Sequence, residues 1–387
     1  VNNSFAHTSS SILRVTEASH PDFPPGVAAG RAARFVKSLG LLAALGGKRP
    51  ALLSFNVSNR CNERCPMCSV WQTPAEELSL AEMEPILADL RRSGIRLVEI
   101  TGGEPFLRGD LPEIFNLLDR LGFLYSVTTN GTLWRDDMLR AIGRAKGIVQ
   151  LAVSLDSLIP QTYSLLRGRD LLGDVMANVE RLAAARLPVP LKINLAMGAL
   201  NREETFSLLA FARDRRIYLS VFPMNLGANR MHSDEGVGFG PSDVERARMA
   251  GIFRELACLR RRGEPLWEYS GFYEGAADYL LGRPIGPCGA GRQFLDLHAD
   301  GKLAVCLERT AVADLRRESI AAVPARIAAE KGAVAACAAE TPCCYTCTLN
   351  VSLTARHRLA FLRETLWVRI RHWWRKRGQK GVAVAKD

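Results

Sequence analysis

Short apolar runs alternate with amphipathic ones from about residue 51 to residue 225. The apolar stretches at 51–57, 97–101, 123–129, 148–155, 189–196 and 217–222 read as strands. Between them, runs such as Leu80 to Ser93, Leu111 to Leu121, Asp174 to Arg186 and Arg202 to Arg215 space their apolar residues as a helix does. Strand and helix in strict alternation predict a parallel sheet with crossover helices, so the fold class is α/β. Six such repeats predict an open, partial (β/α)6 TIM-like barrel. Two of the strands stop abruptly at polar residues, one at Asn130 and Gly131 and the next at Ser154 and Asp156. That is the pattern of a parallel barrel exposing its C-terminal rim.

Gly227 to Pro241 is rich in Gly, Asn and Ser and reads as a way out of the barrel, and Ser242 to Arg262 reads as one charged helix. The period then shortens. Gln293 to His298 and Lys302 to Cys306 flank Asp300-Gly301, which predicts a β-hairpin, with His298 expected to face solvent. The predicted units are a lead segment 1–50, the barrel 51–230, a helical connection 231–284, a small hairpin-and-helix domain 285–350 and a basic helix 351–387.

Composition narrows the class. The 387 residues are 48% hydrophobic and 24% charged, which is globular and not disordered. No apolar run reaches the roughly 18 residues a membrane span needs. Val1 to Pro25 lacks the basic-then-apolar order of a secretory signal, so a cytoplasmic location is expected. Ten cysteines in such a chain predict reduced thiols that bind metal, not disulfides. The charge is uneven: of the net +11, residues 351–387 carry +8. There Leu359, Leu362, Leu366, Ile370 and Trp373 recur at helical spacing among arginines. Such a helix could dock on the body or lie peripherally on an anionic membrane face. Nucleic-acid binding is the least favoured of its uses.

The chemistry is concentrated in Cys61-Asn-Glu-Arg-Cys65-Pro-Met67-Cys68, directly after the first strand. Three thiolates can hold a [4Fe–4S] cube and leave its fourth iron without a protein ligand, open to a substrate-like cofactor. A zinc loop is the alternative, but zinc normally takes a fourth Cys or His nearby and none follows in the loop.

With Gly102-Gly103-Glu104-Pro105 downstream, this loop resembles that of the radical S-adenosylmethionine (SAM) superfamily. The resemblance implies that the Gly-Gly-Glu-Pro string receives the amino group of SAM, that Asn130 belongs to the same rim, and that Ser154, Asp156 and Arg167 hold the ribose and carboxylate. Met67 stands where the family often has an aromatic residue against the adenine, and Trp71 is a possible substitute. The implied activity is one-electron reductive cleavage of SAM to a 5′-deoxyadenosyl radical, which abstracts hydrogen from a substrate C–H. The partners implied are a small-molecule substrate, sugar-like or lipid-linked, and a low-potential donor of the flavodoxin or ferredoxin type.

A second cysteine set follows: Cys288, Cys306, and the pair Cys344 and Cys347. It resembles the twitch domain, a short SPASM-like unit that holds an auxiliary [4Fe–4S] cluster. The family pattern leaves Cys343 as a spare, and a structural zinc is the alternative. Cys258 and Cys337, on helix-like stretches, are expected to fill the core. A fully ligated auxiliary cluster suits an electron acceptor, so net oxidation of the substrate is expected. The rival functions are a peptide-modifying SPASM-type maturase and a zinc protein without catalysis.

Overall fold

The computed structural model describes residues 44, 46–47, 49–185, 187–225, 241–340, 342–345 and 349–364. Six strands, β1 (Leu52–Ser58), β2 (Leu97–Gly102), β3 (Leu124–Thr129), β4 (Ile148–Ser154), β5 (Leu191–Met197) and β6 (Tyr218–Pro223), pair in parallel and in chain order. Each predicted strand is found, its ends displaced by no more than two residues. The crossovers are α1 (Leu80–Ser93), α2 (Leu111–Arg120), α3 (Asp136–Arg144), α4 (Pro160–Arg167) with α5 (Leu172–Ala184), and α6 (Thr205–Asp214). Helix α1 starts where its sequence dictates: the Glu82 N–H donates to the Ser79 hydroxyl, and the Ser79 N–H donates to the Glu82 carboxylate at 2.8 Å. It stops at Gly94, whose φ of 128° suits a residue without Cβ.

Beyond α7 (Asp243–Arg262) and α8 (Ser270–Leu280), the hairpin does not stand apart. Strand β7 (Phe294–Leu297) pairs in parallel with β1, and β8 (Lys302–Ala304) and β9 (Ala311–Asp314) continue antiparallel, giving one sheet ordered β6-β5-β4-β3-β2-β1-β7-β8-β9. Pairing therefore runs unbroken across residue 285. The helices α9 (Pro324–Ala329), α10 (Lys331–Glu340) and α11 (Val351–Arg356) follow. At the β6 edge the sheet is not left bare: the Leu219 N–H donates to Pro265 O and the Trp267 N–H to Leu219 O, both at 2.8 Å.

The two faces of the sheet differ sharply. On the helix side, Leu53, Val98 and Tyr125 lie in register, as do Phe55, Ile100, Val127 and Leu151, and all belong to the main apolar core with Met83, Leu87, Phe115 and Val179. Each such side chain contributes roughly 1.5–3 kcal/mol on burial. The opposite face carries a polar row, Asp296–Ser54–Glu99–Ser126–Gln150, and a second one, Ser154–Asn194–Ser220. A closed TIM barrel fills this interior with branched apolar residues. Here the interior is polar, which marks it as a place for a ligand.

The segment 349–364 docks on the body. Phe361 meets Tyr269 edge-on, with ring centroids 5.7 Å apart, and the Glu364 carboxylate accepts the backbone N–H of Ser270 at 3.1 Å while pairing with Arg260 at 3.2 Å. Of the apolar stripe read in the basic helix, Leu359 is exposed and Leu362 partly buried, while Leu366, Ile370 and Trp373 lie outside the described residues, as do most of Gly227 to Pro241 and residues 1–43. Among the described residues, no helix is long and apolar enough to cross a membrane. Two expectations are corrected. Cys258 is exposed on α7, because the apolar stripe of that charged helix runs through Met249, Phe253 and Leu256 and leaves position 258 outside it. His298 is largely buried, its side chain 15% exposed and Nε2 3.2 Å from Asp296, because β7 presents that face to the polar interior instead of to solvent.

Candidate active site at the barrel rim

The cysteine loop leaves the C-terminal end of β1 and is fastened from three sides. The first fastening is the exit of β2. Gly103 N–H donates to Ser58 O and Glu104 N–H to Arg60 O, each at 2.7 Å. A Cβ on Gly102, which has a φ of 130°, would lie 2.2 Å from Ser58 O, and one on Gly103 would lie 2.2 Å from Arg60 O. The need for two glycines is therefore set by backbone meeting backbone, a closer reason than access for a ligand.

Glu104 supplies the second fastening. Its carboxylate is fully buried and accepts from Phe106 N–H at 2.8 Å, the Thr129 hydroxyl at 2.7 Å and Asn130 N–H at 2.6 Å, tying β2 to the end of β3. Pro105 starts the short buried turn 105–107 that follows. Asn130 in turn donates to Asn62 Oδ1 at 2.8 Å, and its Nδ2 lies 4.0 Å from Cys61 Sγ. Burial pushes the Glu104 carboxyl up to about 7 in spite of its three donors. A raised carboxyl favours folding below its unfolded pKa and loses that contribution as pH rises through 7. Glu104→Gln, which cannot titrate, is expected to flatten this part of the stability–pH curve between pH 5 and 8. It should also cost roughly 1.5–3 kcal/mol, because an amide N–H would then face the Asn130 N–H. Urea midpoints across that range check both.

The third fastening was not visible in the sequence. Glu63, the second residue after Cys61, is 1% exposed and accepts the Tyr163 hydroxyl at 2.6 Å and Arg167 Nη1 at 3.2 Å. Its Oε2 also lies 3.8 Å from Cys65 Sγ. Arg167 Nη2 pairs with Asp156 at 2.8 Å, and Asp156 accepts Ala196 N–H at 2.8 Å. Burial works against the Arg167 charge, but Asp156 and Glu63 overcome it and push its pKa up. The backbone joins in, as Arg64 N–H donates to Arg167 O at 3.1 Å, and a Cβ on Gly168 would meet Arg64 O at 2.0 Å. Arg167 and Asp156 thus reach the loop from behind. A lone acid between two cysteines gives no periodic signal, which is why Glu63 escaped notice.

The remaining predicted residues gather at the same rim. Ser154 ends β4 on the polar face, in register with Asn194. Met67 is half-buried in the loop. Trp71 donates its indole N–H to Cys65 O at 3.2 Å and carries the Arg64 guanidinium 4.9 Å from its ring centroid, so that ring face is already in use. Cys65 is buried, while Cys61 and Cys68 are partly open. Burial is the main reason their thiols are raised, Cys61 to about 11. A cationic iron–sulfur core displaces those protons when it binds. Among the described residues, Asn56 Oδ1 and Asn194 Oδ1, both buried on the polar face, have no hydrogen-bond partner. Orphaned acceptors on the polar face of a barrel whose rim carries three thiols fit a site built for a cluster and a polar ligand.

The second cysteine set lies beside β7 and β8. Gly291 N–H donates to Val305 O at 3.3 Å, which brings the turn after Cys288 alongside the end of β8, and both Cys288 and Cys306 pack against the small apolar cluster of Ala51, Leu52, Phe294, Val351 and Ala355. Cys344 is fully buried, and its N–H donates to Asn225 Oδ1 at 2.8 Å. Cys347 lies outside the described residues.

An open parallel barrel with a three-cysteine loop at its rim and a cysteine-bearing strand unit on its edge is the arrangement of an iron–sulfur radical enzyme. The sequence profile of the Radical SAM superfamily matches residues 55–212. A probable GTP 3′,8-cyclase of Methanothermobacter marburgensis is 30% identical over 278 residues, covering 68% of this chain and 86% of that one. The GTP 3′,8-cyclase of Ectopseudomonas mendocina is 30% identical over 284 residues, covering 70% and 83%. Among solved structures, Streptococcus suis SuiB matches with a TM-score of 0.56 at 16% identity over 76% of this chain and 69% of that one. Native anSMEcpe with bound AdoMet and Cp18Cys peptide matches with a TM-score of 0.59 at 12% identity, over 76% and 84%. The chain belongs to the radical SAM superfamily. Its cofactors are S-adenosylmethionine and a [4Fe–4S] cluster, and it needs a reductant.

Proposed function

We propose that the chain binds a polar small molecule in the barrel interior and removes a hydrogen atom from one of its C–H bonds. When bound, the first cluster at Cys61, Cys65 and Cys68 supplies one electron, and SAM supplies the 5′-deoxyadenosyl radical. The chain's residues orient and enclose. Gly102, Gly103, Glu104, Pro105 and Asn130 form the wall of the SAM site, Ser154, Asp156 and Arg167 close it from β4 and α4, and Met67 offers an apolar contact. The observation that carries the reading is the polar inner face. Asn56 and Asn194 present buried Oδ1 atoms there that have no partner among the described residues. Glu99 and Lys192 stand on the same face, where burial raises the Glu99 carboxyl against the opposing pull of Lys192. Lys192 also lies over the Trp267 ring, 5.3 Å from its centroid.

On the inner positions of β1 to β6, Lys192 is the one Lys or Arg. The strands of the interior therefore suit hydroxyl and amide groups, so that a phosphorylated substrate would turn its base or sugar, and not its phosphates, toward them. A nucleoside or nucleotide is the first substrate class to test, because the similar proteins are named GTP 3′,8-cyclases. Net oxidation completes the proposal: the substrate gives up a hydrogen atom, then one electron to the auxiliary site and one proton to water. With SAM and dithionite under anaerobic conditions, adding GTP is expected to raise 5′-deoxyadenosine release several-fold and to move deuterium from labelled GTP into it. No response to GTP removes that nucleotide as substrate. A product at the oxidation level of the substrate removes the oxidase part.

A further inference from the structure

We infer that Cys337, on α10, is a ligand of the auxiliary cluster, acting with Cys288, Cys306 and Cys343. The inference deepens the reading of the auxiliary site given above and rests on its holding a cluster. All four cysteines line one cavity of about 50 Å³. That is several times the 10–15 Å³ that a single water-sized sphere occupies.

Each cysteine is brought there by its own element. The Gly291–Val305 backbone contact sets Cys288 beside Cys306. Helix α10 turns Val334, Cys337 and Ala338 to the cavity, an i, i+3, i+4 face. Just before its start, Glu330 pairs at 2.9 Å with Arg309 in the connection between β8 and β9. Cys343 and Cys344 follow one another in an irregular stretch and differ in surroundings, Cys344 being fully buried and Cys343 partly open. Cys344 goes inward, where Asn225 accepts its N–H. Cys343 goes to the cavity, and the adjacent Tyr345 hydroxyl donates to Glu308 and pins the stretch to the β8 exit.

The test uses the full chain with Cys61, Cys65 and Cys68 all changed to Ala, so that iron reports the auxiliary site without any SAM chemistry. That protein, reconstituted anaerobically, is expected to hold about four irons and the spectrum of one cube. Adding Cys337→Ser should lower the iron several-fold, or keep it with changed EPR g-values as an oxygen replaces sulfur. Because a variant can misfold, wild-type protein is also treated with iodoacetamide. Cys337 should be alkylated only after the cluster is chelated away, whereas exposed Cys258 reacts throughout. Full iron with unchanged g-values in Cys337→Ser overturns the assignment. So does equal alkylation of Cys337 with and without the cluster, or an iron-free protein in the triple-Ala background. None of these outcomes depends on SAM cleavage at the first site.

Discussion

Cys65→Ala is expected to reduce 5′-deoxyadenosine release to background, a loss larger than the 10–100-fold typical when only an outer partner of a metal ligand is removed. Cys65 is the central and most buried of the three thiols. Trp71 holds its carbonyl, Glu63 touches its sulfur, and the Cys68 N–H donates to its backbone at 3.1 Å. With two thiolates left, a cube has two irons without protein ligands and no fixed orientation toward SAM. Iron analysis and chromatography of the nucleoside products, run with dithionite, measure both losses. Near-normal nucleoside release from Cys65→Ala would show that the loop is not the ligand set.

Arg167→Ala is expected to destabilise the fold by roughly 3–5 kcal/mol, the usual cost of removing one member of a buried ion pair. The reason is what it leaves behind: Glu63 and Asp156, 1% and 3% exposed, without their shared cation. The deficit should shrink as pH falls from 8 to 5. Burial already raises the Asp156 carboxyl against the pull of Arg167, and without that pull it protonates more readily. Arg167→Lys should recover only part of the loss, because an ammonium cannot bridge two carboxylates as a planar fork does. Denaturant midpoints at the two pH values decide the matter. A loss under about 1 kcal/mol, independent of pH, would place Arg167 among ordinary surface pairs.

Much of the barrel was legible because its strands are apolar on the helix side and bounded by helices with a clear period. Leu80 to Ser93 was read to the residue, since Ser79 and Gly94 mark its ends chemically. The polar interior was harder to see. In β1, Ser54 and Asn56 alternate with Leu53, Phe55 and Val57 in a way that sequence alone cannot distinguish from a strand with one face in solvent. The pairing of β7 with β1 joins residues some 240 positions apart in the chain, and no local pattern encodes it. At the site, cysteine spacing named the first loop, whereas Glu63 and Tyr163 meet only through the fold. Spacing also favoured Cys344 with Cys347 for the auxiliary site. The Cys344 backbone is held by Asn225, more than a hundred residues earlier, a pairing that no spacing reveals.

The measurement that bears most directly on the whole account is EPR of the reconstituted wild-type protein, reduced by dithionite under argon, with and without SAM, followed by analysis of the nucleosides formed. The account predicts a reduced cube whose signal changes on adding SAM, and 5′-deoxyadenosine appearing with time. A signal indifferent to SAM, with no nucleoside released, would contradict it.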